Sequence, residues 1–480
     1  MTGHASGAAQ QSIAIIGGGV TGSTCALELL RCSEGQLRVT LFDQGRGLGG
    51  RCCHRQVLES GDLVNPGTNG AAFVFDHGCQ FFRADADRFQ KELLQEWLSR
   101  GWVAEWSARF GSLGSTSEAE GGGPDFFGVP ARQPVYCGVG GMNQLPLGIL
   151  SEARALGADI LSGVRVASMA RLSSGRWLLS GTEGKAAYHD TREEEAARVS
   201  PDSLGEFDAV IVTDVSASMA SWHRASAGVP EAIASRVRGR TRVVLFTALF
   251  AFERPIKLPL DAVSTQDNEL WFAARTSSKP GLSDATMLDC WTLVSTPKYA
   301  AAEIERVPMQ DPKTGAFRPQ EPAYLRDGPC AVLLAAFQRV IEQSGHADCV
   351  PLPRAAYIGG QRWGSAFPAP AGVGGRDAKG RGPSTVEVLG VAYDSAASLE
   401  LAPAASAAAD MGEVDASWIS PTPDFLADDE QRVYYAGDYL SSGPPGVESA
   451  ALSGLDAARH IVKTLSLSAA SSACAGRAPS

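Results

Sequence analysis

Several absences narrow the field before any motif is considered. No run approaches the roughly 20 consecutive apolar residues that a membrane-crossing helix needs. No basic cluster is present, and 53 acidic against 42 basic residues give a net charge of −11, which argues against a nucleic-acid partner. The 10 cysteines form no metal-ligand array. Only Cys52 and Cys53 are close, and adjacent cysteines bridge poorly, so the cysteines read as buried small hydrophobes and spare thiols. The first dozen residues (MTGHASGAAQQS) have neither a basic n-region nor an apolar core, which predicts a cytoplasmic protein and leaves organellar targeting open.

What is present is ordinary in bulk: 44% apolar and 20% charged residues over 480 positions, too long for a single core and therefore at least two domains. The informative stretch is 12–51. An apolar run (13–16) meets Gly17-x-Gly19-x-x-Gly22, a helix-compatible segment follows, and a second apolar run (37–42) ends on Asp43. This is a βαβ unit with the dinucleotide-binding fingerprint. Gly17 allows the tight turn, Gly19 lets backbone approach a pyrophosphate, and Gly22 lets helix and strand pack closely. Val20 opens the helix whose free N–H groups would face the pyrophosphate. Asp43, with Gln44 behind it, stands where an acid accepts hydrogen bonds from the adenosine ribose. The Gly-rich segment that follows, through Gly49-Gly50-Arg51, suits the longer path of FAD better than that of NAD.

Further along, Phe89, Leu93, Leu94, Trp97 and Leu98 recur at helical spacing over 85–102. Strands are predicted at 159–167, 176–179 and 207–213, the last as a buried parallel strand. The runs 242–252, 270–275 and 287–293 are β-rich and belong to a second sheet, and 331–343 is helical. The segment 399–409 reads as loop, with helix open to its alanines, and the last dozen residues as disordered. The chain closes as strand, Gly437-Asp438, a Gly/Pro turn and a helix over 449–465.

Taken together, IIGGGVTG, the GGR after the ribose acid, FDHGCQFF, YCGVGGMNQLP, SSKPG, CWTLVSTPKY, QRWGSAF and AGDYLSSGPPGVESAALSG resemble the renalase-like branch of the flavin-containing amine oxidase superfamily. The resemblance runs in order over nearly the whole chain, with 111–125, 182–206, 303–327 and 370–385 as insertions. It implies an α/β protein: a Rossmann-like FAD-binding domain from 1–90, 135–215 and 386–480. A substrate domain of β-sheet plus helices comes from 91–134 and 216–385.

By motif, the resemblance assigns Gly17, Gly19, Val20, Gly22, Asp43, Gln44, Gly50, Arg51, Val166, Gly437, Asp438, Gly446 and Val447 to the cofactor, with Val166 meeting the adenine through its backbone. As catalytic candidates, His77 and Gln80 would fall in a flavin-proximal loop, and Arg362 and Trp363 on the substrate side, the tryptophan as a wall of the pocket above the ring. A histidine capping Asp76, and a core tryptophan beside a surface arginine, remain the plainer alternatives. Lys279 reads as a turn residue. Amine oxidases of this superfamily carry a lysine on the strand corresponding to 242–252, and this sequence has none there. The implied activity is hydride transfer from a small reduced substrate to flavin N5, with O2 as acceptor giving H2O2 and an isomeric dihydronicotinamide as the renalase-type substrate. An amine oxidase or a carotenoid/porphyrin-type oxidase on the same scaffold, or a non-catalytic FAD-binding protein, are the other readings.

Overall fold

The computed structural model describes residues 10–45, 47–58, 60–63, 73–114, 134–183, 202–213, 242–282, 288–309, 320–368, 424–441 and 445–465, with short pieces between them. β1 (Gln11–Ile16), α1 (Val20–Ser33) and β2 (Leu37–Asp43) form the predicted βαβ unit. α1 ends where Glu34 and Gly35 turn into the left-handed region, with φ of 48° and 84°.

β1 lies inside a six-stranded sheet ordered Phe425–Asp428, Val433–Ala436, Ala209–Val212, β1, β2, Asp159–Ser162. All neighbours run parallel except the first two, so the predicted buried parallel strand sits directly beside β1. Its apolar residues alternate between two cores, as a strand's period of two requires. Ile13, Ile15 and Ile211 face α1 and the final helix (Val447–Thr464). Ala14, Val210 and Val212 face a three-stranded antiparallel sheet that supplies Val166, Trp177, Leu179 and Phe207. Thus three distant parts of the chain complete one cofactor-type sheet.

The second sheet is ordered Ala355–Pro368, Arg242–Phe252, Asp289–Ser295, Leu270–Arg275, Ala262–Thr265, Phe110–Leu113, antiparallel except at its last pair. The helix Ala331–Gln343 covers one face with Leu333, Ala336, Phe337, Val340 and Ile341. A hairpin of β3 (His54–Val57) and β4 (Phe73–Asp76) packs against the sheet through Val57, Phe73 and Phe75, with Phe75 stacked on Tyr357. The stretch that starts at the glycine-rich turn therefore passes from the cofactor sheet to the second sheet within a few residues.

Three of the expected insertions are regular at their described ends. Asp202–Phe207 pairs with Trp177–Glu183, its acidic side chains at 202 and 206 on the exposed side. Phe110–Leu113 pairs with Ala262–Thr265. The helix Pro297–Arg306 reaches into 303–327, and helix resumes at Pro322–Leu325. Charge and glycine in these stretches concealed edge strands and an amphipathic helix, whose buried faces are short. The segments 370–385 and 399–409 and the last dozen residues lie outside the described residues. Among the described residues all cysteines are free, and no helix is long and apolar enough to cross a membrane.

Candidate functional site

The glycine turn has the geometry its residues imply. Gly17 takes φ of 112°, and Gly19 caps α1 without a side-chain hydrogen bond or any acid in the first turn, so no side chain of the helix's own first turn competes for its N–H groups. A Cβ on Gly22 would stand 2.0 Å from the Gly17 carbonyl oxygen, which makes glycine obligatory there. Gly19 differs: a Cβ would find only ordinary contacts at 3.8 and 3.9 Å, on Gly50 and Gly49. The second glycine turn thus covers the first closely enough to form a backbone-lined cradle, reinforced by a hydrogen bond of 3.0 Å from Gly49 N–H to Gly18 O.

Asp43 braces this turn. One carboxylate oxygen accepts from Gly18 N–H and the other from Gly45 N–H, each at 2.6 Å. Gln44 follows it half-buried. Val166 is buried with Phe42 and Ala14, so only its backbone is available to a ligand.

The last segment closes on the same place. Arg51 donates to both oxygens of Asp438 at 2.8 and 2.6 Å, and also to Ala366 O at 3.2 Å, while its guanidinium lies 5.5 Å from the Tyr439 ring centre. Gly437 and Gly446 both have positive φ, 148° and 155°. The N-cap of the final helix is Gly446, which has no side chain to offer and open space where a Cβ would be. Val447 is buried behind it. The final helix crosses α1 tightly, because Gly454 puts its missing Cβ 2.4 Å from Thr21 O.

A second cluster is built around Asp76, fully buried at the end of β4. One oxygen accepts from Met142 N–H and the other from Lys279 Nζ, both at 2.7 Å. Its carbonyl accepts from Gln80 Nε2 at 2.7 Å and Thr292 Oγ1 at 3.1 Å. Four of the motifs scattered along the sequence therefore meet on one residue. Lys279 is not the simple turn residue expected from SSKPG. It is 0% exposed, bonded to Asp76 and to Gln80 O, with the Trp106 ring 5.3 Å away. Gln80 gives its amide N–H groups to Asp76 O and Gly78 O, so this side chain holds the shape of its own loop.

His77 follows Asp76 and is buried beneath Trp363, with ring centres 5.5 Å apart and planes 18° from parallel. Its carbonyl accepts from Trp363 Nε1 at 2.7 Å and Thr247 Oγ1 at 3.0 Å. Cys53 Sγ lies 3.2 Å from Nε2, and Nδ1 has no partner among the described residues. Burial, helped by the nearby Arg55 and His54 charges, pushes the His77 pKa down to about 3. Burial likewise pushes the Cys53 thiol up to about 12.

Arg362 does not join this group. It neighbours Trp363 on one strand and so faces the other way, buried, donating to Arg318 O at 2.7 Å. The structure keeps His77 and Trp363 together, gives Gln80 a bracing role and separates Arg362. Sequence reasoning missed Cys53; its only signal was position, next to the GGR turn. Among the described residues no cluster of metal-ligating side chains occurs.

Residues 15–97 match the family of NAD(P)-binding Rossmann-like domains, the dinucleotide-binding class that the sheet and glycine turn define. Among solved structures, a protein of Exiguobacterium sp. 255-15 classed as a protoporphyrinogen oxidase has a TM-score of 0.52 at 12% identity, over 96% of this chain and 100% of that one. An oxidoreductase from Methanosarcina mazei has a TM-score of 0.45 at 12% identity, over 94% and 100% of the two chains. Aklavinone-11 hydroxylase, solved with FAD and aklavinone, has 0.43 at 14% identity, over 96% and 63%. The first of these is a likeness of fold.

Proposed function

We propose that this chain is an FAD-dependent oxidoreductase. The observation that carries the reading is the meeting of distant parts of the chain: the Gly17–Gly22 turn, the Gly49–Arg51 turn and the Gly437–Asp438 bend converge, and the His77–Trp363 pair lies against the same GGR segment. Gly78, between His77 and the cysteines, has no room for a Cβ, which would stand 2.2 Å from Arg51 O and 3.1 Å from the Trp363 ring.

The residues present fit the cofactor. N–H groups at the start of α1 would hold the pyrophosphate, and Asp43 would add ribose hydroxyls to the donors it already has. Arg51 and Asp438 would line the path towards the flavin, and the backbone of Val166 would meet the adenine. The final helix, whose N-cap is Gly446, would place N–H groups by the pyrimidine edge, where reduced flavin gathers negative charge. When bound, FAD supplies a two-electron acceptor. The chain's part is to hold substrate and cofactor together and to exclude water, for which the Trp363 and His77 rings form a rigid apolar wall. No charged base is implied, since His77 stays neutral.

Renalase-type oxidation of an isomeric dihydronicotinamide, with O2 as acceptor and H2O2 as product, is the specific activity we infer from the motif pattern. A porphyrin-type oxidation is the second reading, favoured over amine oxidation by the lack of a lysine on Arg242–Phe252 and by the engagement of Lys279 with Asp76. Purified protein reconstituted with FAD should bleach anaerobically with one dihydronicotinamide isomer. Bleaching by protoporphyrinogen alone would move the assignment to the second reading. A protein that retains no FAD would sink both.

A further inference from the structure

Two thiols that take no part in cradling a nucleotide face each other beside the GGR turn. Cys52 ends that turn and is buried, while Cys79 is partly exposed on the loop that carries His77. Cys79 N–H donates to Arg51 O at 2.8 Å. That oxygen belongs to the peptide unit whose nitrogen is Cys52's own, so the two Cα atoms stand no more than about 7 Å apart. A disulfide needs Cα atoms within roughly 7 Å and side chains that point at one another. The second condition is met as well, because the Cys52 and Cys79 thiols are hydrogen-bonded to each other.

The two sulfurs are not equivalent. Cys79 is held below the ordinary thiol range, first by the hydrogen bond from Cys52 and then, against burial and the Asp76 charge, by the Lys279 ammonium. Cys52 is raised by the same hydrogen bond and by burial. Cys79 Sγ also lies 3.2 Å from Phe81 O. The other thiols nearby are poorer nucleophiles: burial pushes both Cys53 and Cys137 up to about 12, and Cys53 Sγ is turned towards His77 Nε2 at 3.2 Å. One member of the pair is thus suited to attack and the other to resolve.

We propose that Cys52 and Cys79 are a peroxide-reactive dithiol, a modification site that closes reversibly to a disulfide. In the first step the Cys79 sulfur attacks one oxygen of H2O2. An S–O bond forms, the O–O bond breaks, and the other oxygen leaves as water with the thiol proton. In the second step the Cys52 sulfur attacks the sulfenic sulfur. The S–S bond forms, the S–O bond breaks, and the hydroxyl leaves as water with the second thiol proton. Two thiols give up two electrons, and one peroxide becomes two waters. A dithiol reductant restores the pair by exchange and becomes a disulfide itself. The bond would tie the turn that carries Arg51 to the loop that carries His77. The flavoprotein reading adds only that the peroxide would be the protein's own product.

Peptide mapping tests this directly. Trypsin cuts after Arg51, Arg55 and Arg83, so Cys79 is alone on 56–83, while Cys52 shares 52–55 with Cys53. The full-chain protein as purified is reduced, freed of reductant and given one equivalent of H2O2, and its remaining thiols are alkylated before digestion. The peptides 52–55 and 56–83 should appear joined, two hydrogens lighter than the pair, and dithiothreitol should separate them. The joined pair should persist in Cys53→Ala. It should vanish in Cys52→Ala, where dimedone should label Cys79 as a sulfenic acid with no second thiol to meet. Cys79→Ala should slow oxidation of Cys52 by at least about tenfold. Separate peptides from the wild-type protein, a link that survives Cys52→Ala, or dimedone on Cys52 rather than Cys79 overturns the proposal. Flavin content is read separately by absorbance: a link in a protein that binds no FAD leaves the dithiol standing without the flavoprotein reading, and FAD bound to a protein that forms no link removes the dithiol alone.

Discussion

Arg51 and Asp438 are 387 positions apart in the chain and form a two-pronged ion pair, Nη1 to Oδ2 at 2.8 Å and Nη2 to Oδ1 at 2.6 Å. Asp438 is almost wholly buried, and Arg51 is the cation set against it. Removing one partner strands the other, and Asp438→Ala or Arg51→Met should each cost about 3 kcal/mol in urea unfolding. In a double-mutant cycle the pair should couple by at least about 1.5 kcal/mol. Additive effects would show that the two ends are not energetically joined.

Gly19 and Gly22 stand three positions apart in the fingerprint but answer to different demands. Gly22→Ala drives a methyl to 2.0 Å from Gly17 O, so the strand-to-helix turn must open and the fold should lose about 2 kcal/mol or more. Gly19→Ala meets nothing nearer than 3.8 Å. It should melt close to wild type yet bind FAD at least about tenfold more weakly, because the methyl fills the space meant for the pyrophosphate. Thermal melts together with FAD titration separate the two. Equal losses of stability would contradict the distinction.

Lys279 and Asp76 are both completely buried, 2.7 Å apart. Lys279→Met should destabilise the protein by about 3–5 kcal/mol by leaving a lone buried carboxylate. Adding Asp76→Asn removes that charge while its amide oxygen can still accept from Met142 N–H, so the double variant should regain part of the loss. If denaturant unfolding finds the double variant worse than Lys279→Met, the charge is not what the lysine compensates.

The pH dependence of stability carries the mark of His77. Its folded pKa of about 3 lies below the ordinary 6.5, so between these values the unfolded chain binds the proton and the folded chain does not. Stability must then rise with pH through this window and is fully present above about 6.5. One such group contributes at most about 1.4 kcal/mol per pH unit. His54, also lowered by burial, adds in the same direction. In His77→Gln the slope measured between pH 6 and pH 4 should fall by about one proton's worth. An unchanged slope would mean that His77 titrates normally.

Much of the cofactor half is legible in the residues because it is local. The tight turn at Gly17, the close approach at Gly22 and the apolar run over 209–212 each follow from a few neighbours in sequence, and the structure has them in place. The substrate side was less legible. Arg362 and Trp363 read as one motif, yet adjacent strand residues face opposite ways and only Trp363 reaches His77. Lys279 reads as a turn residue because nothing local reveals Asp76, 203 positions away.

By itself the sequence determined the βαβ unit, three of the second sheet's six strands (Arg242–Phe252, Leu270–Arg275 and Asp289–Ser295) and the dinucleotide class, since backbone sterics and short-range periodicity dictate them. Only the tertiary structure decided that Asp76 gathers four motifs, that Asp438 is held by Arg51, and that Cys53 sits against His77. Those are contacts between side chains far apart in the chain, and their partners are chosen by how two sheets and a hairpin pack, which no stretch of residues specifies alone.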